Sequence, residues 1–379
     1  MKKYLITILA VSALVQSNKI FAGNKDRSGQ AAASELLINP WAATGGTFGM
    51  NGASVCGLEA MKLNIAGLAK TKGFEFGVVH NTYLANTGVQ IYDAGFSTAL
   101  KNSKGRVGVN LMGINFGEIP VTTVNTPQGV GTTFKPAFYN ISVGYAYEFG
   151  KNIDAGLNLN FVNESVTNAK ASAVGFDAGI RYTTGFKDEL HFGVTLRNVG
   201  SNIRFGGDGL TYSSTSIDDQ DKYITVSNRS EKFQLPTQLG ISTAYDIYLG
   251  SKSIVAAVDT TEEGIGEGGD AAKLASLSAK SNTRLTLMGS FISNAFINDY
   301  LGLGAELAFR EKFFARAGYR YESGITNIEK TTTLFTGVSA GVGIAFKYNK
   351  ANDKKAILDY SFKPSRLGAV HAVSIRLFN

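Results

Sequence analysis

The chain has 379 residues, of which 18% are charged, and its 44 glycines make up about 12% of it, well above the ~7% usual in soluble domains. One cysteine and three histidines exclude a disulfide scaffold and a zinc site of the common Cys/His kind. The formal charge of +7 falls by three once Lys2, Lys3 and Lys19 of the first 22 residues are discounted. That excess is too small to argue for a nucleic-acid partner.

In chain order, Met1 to Lys3 supply positive charge, Tyr4 to Val15 an apolar run, and Ile20-Phe21-Ala22 a small residue where a peptidase would cut. Residues 1–22 therefore read as a secretory signal peptide. The apolar run is too short to cross a bilayer as a helix, which takes ~20 residues. Cys56 stands alone downstream, where a small buried hydrophobe is the expected role. Residues 23–72 contain Gly-Gly, Asn-Gly and short apolar runs without a regular period.

From residue 73 the pattern has period two. Tyr139, Ile141, Val143, Tyr145, Tyr147 and Phe149 alternate with Asn140, Ser142, Gly144, Ala146 and Glu148, and the same form recurs at 153–161, 301–309 and 338–346. Alternation of this length marks strands with one apolar face. Strands of ~9–11 residues cross a bilayer when tilted. The chain yields 14 such segments: 74–84, 87–100, 105–116, 137–149, 152–165, 171–184, 189–199, 237–249, 283–293, 299–309, 312–322, 333–347, 355–363 and 369–378. None contains any of the six prolines, which a ladder would exclude. Connections after the second, fourth, sixth, tenth and twelfth segments are mostly short and often basic, whereas 117–136, 200–236 and 323–332 are long. Alternating short turns and long loops, with aromatics such as Tyr139, Phe149, Tyr319 and Tyr321 at strand ends, predict an all-β, 14-stranded antiparallel transmembrane β-barrel over 73–379. The stretch 251–282 is then an insertion on the periplasmic side, and both termini are periplasmic.

The inward faces carry glycines, among them Gly144, Gly156, Gly179, Gly193, Gly302, Gly304 and Gly341. Glycine weakens a strand unless another backbone approaches closely, so residues 23–72 are expected to form an N-terminal plug in the lumen. The same faces place Asp154, Asp177, Arg181, Arg197, Glu306, Arg316 and Arg320 inside, with both signs on neighbouring strands. They serve either as salt-bridged bracing or as the lining of a selective aqueous path.

Within residues 23–72 stand Phe48-Gly49-Met50-Asn51-Gly52-Ala53-Ser54 and Asn64-Ile65-Ala66-Gly67-Leu68-Ala69. Together they resemble the F-G-M-x-G-A … N-P-A-G-L-A plug signature of the PorV/PorQ outer-membrane family. The stretch Gly113–Val124 and the runs Phe176–Tyr182 and Leu196–Gly200 follow in the family's order. The resemblance spans roughly residues 30–379 and marks Asn64, Ala66, Gly67 and Leu68 as the plug motif. Ile65 departs from the family's proline, which implies a less rigid plug turn. The family belongs to the type IX secretion system of Bacteroidetes, and its barrel is similar to the long-chain fatty-acid transporters. The resemblance implies a protein-binding component of secretion or surface attachment, with secretion proteins or cargo C-terminal domains as partners besides outer-membrane lipid. The alternative it leaves open is a plugged channel for uptake of hydrophobic small molecules.

The expected partner-binding loops hold Phe116, Ile119, Val121, Phe134, Phe205 and Tyr212. Apolar residues in long loops either bind partners or pack over the barrel mouth. His80, on the apolar row of the first strand, and His371, on the last, come near each other across the seam without an evident nucleophile. No catalytic residue, cofactor or metal ligand is expected.

Overall fold

A strand with one carbon-rich face can hide its backbone polar groups in lipid only by pairing along both edges, which closes the sheet on itself. The computed structural model describes residues 27 and 29–379 apart from 216–222, 250–282, 328, 330, 332 and 350–353. The expected signal peptide and the 251–282 insertion lie outside the described residues.

The barrel strands are β1 Phe74–Thr82, β2 Gln90–Ala99, β3 Gly105–Asn115, β4 Ala137–Phe149, β5 Ile153–Val166, β6 Ala169–Thr184 and β7 Leu190–Gly200. They continue as β8 Gln238–Leu249, β9 Thr283–Asn294, β10 Tyr300–Phe309, β11 Phe313–Glu322, β12 Val338–Asn349, β13 Lys354–Lys363 and β14 Val370–Phe378. Each pairs antiparallel with its sequence neighbours, and β14 returns to β1, with Val78 opposite Ile375. The fold is a closed 14-stranded antiparallel barrel.

Two expected boundaries move by three residues or more, each for a backbone reason. The second strand starts at Gln90 rather than 87, because Asn86 and Gly88 both sit at φ +79° in the preceding turn. The twelfth starts at Val338 rather than 333. Gly337 lies at φ +91°, and Phe335 instead bridges to Ser365 in the neighbouring loop. The ladder between β6 and β7 skips one step at Asp177. There Asn198 takes φ +57° and donates its N–H to Asp177 Oδ1 at 2.7 Å, so the bulge leaves no orphaned donor.

Outward side chains form a continuous apolar band. Leu157, Leu303 and Val342 are each more than half exposed, among dozens of exposed Leu, Ile, Val, Phe and Tyr side chains. Soluble monomers do not present so large an apolar surface to water; here lipid covers it.

Residues 34–70 run through the lumen as short turns: 3₁₀ turns at Ser34–Leu37, Gly57–Lys62 and Ile65–Lys70, and one α-helical turn, α1, at Ala42–Gly46. Trp41, Leu58, Met61, Ile65 and Leu68 pack with Val79 and Ala146 of the wall into one buried apolar cluster. The inner-face glycines lie beneath this plug. A Cβ on Gly179 would stand 2.2 Å from Asn64 Oδ1, one on Gly318 would stand 2.4 Å from the carbonyl carbon of Thr47, and one on Gly302 would stand 2.0 Å from Met50 Sδ.

Gly318 faces plug backbone, which cannot rotate aside, whereas a Cβ on Gly113 meets nothing within 4 Å. Gly318→Ala should therefore destabilise the seated plug by about 1–3 kcal/mol, and Gly113→Ala should be silent. Limited proteolysis of residues 34–70 beside heat-modifiability on gels checks this. Equal protease resistance in both variants contradicts the close packing.

Candidate functional site

The plug is seated by polar ties at intervals along its length. Asn64 Oδ1 accepts the Ala66 N–H at 3.1 Å, capping the turn, while Asn64 Nδ2 donates to the carbonyls of Gly52 at 3.0 Å and Ile180 at 3.3 Å. One side chain thus joins two plug segments to the wall. Ala66 and Leu68 of the same motif are fully buried, and a Cβ on Gly67 would meet the Val55 carbonyl. Ile65 lies over Gly144 and Gly179 and fills the space these glycines leave. From the wall, Ser290 and Ser339 hydroxyls donate to the carbonyls of Met50 (2.9 Å) and Gly46 (3.0 Å).

The luminal charges divide into two groups. In the half of the barrel nearer the short turns, one chain of ion pairs, closed by a histidine contact, crosses from β14 to β7. It runs Glu59–Arg376 (3.0 Å), Arg376–Asp359 (3.1 Å), Asp359–Arg316 (2.6 Å), Arg316–Glu306 (2.7 Å), Glu306–Arg284 (3.1 Å), Arg284–Asp246 (3.4 Å) and Asp246–His191 (3.3 Å). Glu59 belongs to the plug, so the belt clamps plug to wall. Lys70 of the plug reaches Glu148 at 2.8 Å and Asp154 at 3.0 Å. Arg181 lies 4.0 Å from Asp154 and donates to the Val55 carbonyl and to Cys56 Sγ. Asp177 accepts from Asn158 and Asn160 as well as from the bulge. Of the two roles open to these residues, the geometry favours bracing.

Cys56 is exposed, contrary to the expectation of a buried thiol. The turn from Ser54 into Gly57, which lies at φ +72°, carries the side chain out of the apolar cluster.

The second group lines a cavity at the long-loop end, of about 670 Å³. Its apolar wall comes from Ile38 and Phe48 of the plug, Ile91, Ile114 and Phe138 of the strands, and Phe335 of a loop. Arg197, Arg320 and Lys363 also line it. Arg197 donates to Gln238 (3.3 Å) and to the Leu36 carbonyl (3.3 Å), and Arg320 pairs with Glu322 at 2.8 Å while lying 3.8 Å above the Tyr300 ring. Lys363 Nζ lies 6.0 Å from the centre of the Phe335 ring. Among the described residues it makes no ion pair. Sequence reasoning assigned Arg320 and Arg197 to the lumen but missed Lys363, which sits at a strand end where alternation gives a weak signal.

One carboxyl at this cavity is perturbed. Burial, and then the neighbouring Glu164 carboxylate, push Glu35 up from the ordinary 4.5 to about 8. Its turn packs with Ala33 and Leu36 into a cluster completed by Val162, Ile203 and Leu235.

The expected loop residues separate. Phe116 stacks edge-on to Phe138 at 4.9 Å, and Phe205 packs with the fully buried Ile203, so both close over the barrel mouth. Ile119 and Phe134 pair in a two-residue ladder, Val121 follows it, and Tyr212 sits in a loop hairpin of Thr211–Thr215 with Tyr223–Ser227. Ile119 and Tyr212 are exposed.

His80 and His371 lie two steps apart in register across the seam, each with a partner of its own: His371 Nδ1 contacts the Tyr360 hydroxyl at 2.8 Å, and His80 stacks on Tyr92. His191 lies between Thr183 (3.2 Å) and Asp246 (3.3 Å). The hydroxyl is buried and none of the three lines the cavity, so they form the end of the ionic belt.

Among solved structures, the CymD monoaromatic hydrocarbon channel superposes with a TM-score of 0.51 at 12% identity, over 90% of this chain and 98% of that one. The two chains share a fold. A Pseudomonas aeruginosa FadL homologue (TM-score 0.48, 10% identity, 89% of this chain and 97% of that one) and the P. putida toluene transporter TodX (0.45, 14%, 93% and 97%) are also similar. No protein-family model and no curated protein matches the sequence.

Two outcomes follow. Asp359→Ala removes from Arg316 and Arg376 the carboxylate they share, leaving Arg316 with Glu306 and Arg376 with Glu59, and should cost about 1.5–3 kcal/mol. Glu118→Ala, which breaks an exposed pair with Lys135, should leave the denaturation midpoint unchanged. Equal midpoints for the two would remove the belt's bracing role. Because Glu35 is raised in the fold, its contribution is complete below pH ~4.5 and is lost as pH rises through ~8. Hydrogen exchange of amides 33–38 should accelerate between pH ~4.5 and ~8 beyond the intrinsic rate, and Glu35→Gln should flatten that dependence.

Proposed function

We propose that this protein is an outer-membrane channel that takes up hydrophobic small molecules, with the long loops outside the cell and the short basic turns in the periplasm. The observation that carries this reading is the cavity at the long-loop end, whose walls are largely apolar and whose cations outnumber their carboxylate partners. Pockets of about this size, apolar with a few convergent polar groups, are the usual form of a small-molecule site. Lys363 and Arg320 suit a ligand that carries one anionic group beside a hydrocarbon body. The plug beneath the cavity then acts as a gate, held by Asn64 and the ionic belt. CymD is a monoaromatic hydrocarbon channel, and its barrel is compatible with this reading at the level of fold.

A second reading is favoured by Ile119 and Tyr212, exposed on loop ladders beyond the cavity. In it the loops bind other secretion proteins or cargo C-terminal domains, as the PorV/PorQ resemblance implies. Stoichiometric recovery of secretion components from native outer membranes would support it over uptake.

The uptake reading is tested by comparing a fluorescent carboxylate amphiphile with the alcohol of the same chain length. The purified barrel should prefer the carboxylate by about tenfold, near 1.4 kcal/mol. Lys363→Met combined with Arg320→Leu should erase the preference while binding of the alcohol persists. If the barrel binds neither amphiphile, uptake through this cavity is wrong.

A further inference from the structure

The outer wall is not uniform. Across β4–β7, two neighbouring rows of outward side chains read Tyr147, Ala155, Ile180, Val194 and Tyr145, Leu157, Ala178, Leu196 in register. Each row has one alanine among large side chains, on adjacent strands, and the two gaps join into a furrow of about 460 Å³ lined almost wholly by carbon. The small residues have an internal cause. Gly156 and Gly179, next to these alanines in sequence, lie against Ile65 and Asn64 of the plug, so the wall is thin here and bulk is missing from both faces.

The furrow ends at two short turns. The β4–β5 turn carries Lys151, and the β6–β7 turn carries Phe186 and Lys187, with the Phe186 ring exposed. Neither lysine pairs with a carboxylate among the described residues. Glu148 is taken by Lys70 at 2.8 Å, and Glu189 Oε2 accepts the backbone N–H of Lys187 at 2.7 Å, leaving Asp188 as the one other exposed acid of that turn. Exposed Phe149, Tyr182 and Phe186 place an aromatic fringe at the turn end of the furrow, where a membrane interface would fall.

We infer that this furrow is a binding site for one anionic phospholipid of the leaflet at the short-turn end, with an acyl chain along Ala155 and Ala178 and the phosphate on Lys151 and Lys187. Any acyl chain fits the furrow. The two lysines select the headgroup, because a zwitterionic lipid carries its own cation beside its phosphate whereas an anionic one leaves its charge to the protein. The inference rests on the orientation given above, with the short turns facing the periplasm, and not on what the cavity carries.

The test is native mass spectrometry of the full-length barrel in mild detergent, with phosphatidylglycerol and phosphatidylcholine of identical chains in equal amount. One phosphatidylglycerol should be retained per barrel, about tenfold over phosphatidylcholine. Ala155→Leu with Ala178→Leu should abolish retention of both lipids. Lys151→Glu with Lys187→Glu, on exposed turns, should keep the adduct and lose the preference. Heat-modifiability confirms closure of each variant, and carboxylate-amphiphile binding at the cavity should be unchanged in both, so the two sites fail separately. Retention that survives filling of the furrow, a preference indifferent to the lysines, or no adduct overturns the site. Lipopolysaccharide held in the furrow overturns it too, since that lipid belongs to the opposite leaflet.

Discussion

Lipid offers a backbone no hydrogen bonds, and the architecture follows from that. Every barrel strand finds partners on both edges because β14 returns to β1, and where the ladder skips at Asp177 a side chain takes over the stranded N–H. Closure removes the edge but creates an interior. A 14-stranded cylinder is too wide for its own side chains to fill, so residues 34–70 fill it. Glycines on the wall let that backbone come within contact distance. Lipid outside and plug inside therefore impose one pattern on the strands: large and apolar outward, small or polar inward.

That pattern is why the fold was legible in the sequence. Alternation through Tyr139–Phe149 and its repeats located the strands to within a few residues, and the inward glycines pointed to something packed against them. The errors fall where local backbone geometry outweighs periodicity. At Asn86, Gly88 and Gly337 a positive φ ends the ladder sooner than the side chains suggest. The candidate site was less legible. Arg197 and Arg320 could be assigned to the lumen, but Lys363 at a strand end and Glu35 in the plug could not be joined to them, because they meet only through the path of an irregular segment. His191 found its partners on β6 and β8, 8 and 55 residues away, distances that no motif reports. Cys56 was misread for the same reason: the plug's turns have no period from which to infer a facing side.

Charge is managed differently at the two ends of the lumen. Toward the short turns, acids and bases alternate so that each buried ion has an opposite neighbour, the arrangement in which desolvation is offset. Toward the long loops the balance lapses: Arg197 leans on a side-chain amide and a backbone carbonyl, Lys363 on an aromatic ring. A positive field in a low-dielectric vestibule persists over distance, and it is most effective where the apolar wall excludes water. The braced end gives rigidity, and the unbalanced end keeps a surplus of positive charge.

The chain contains a single tryptophan, and Trp41 is wholly enclosed, its ring lying over Gly77 of the wall at the start of α1. Its indole emission therefore originates from one point on the plug and nowhere else. Any displacement that lets water reach that ring would appear as a red shift, so the native chain carries an optical gauge of its own plug, readable without a label.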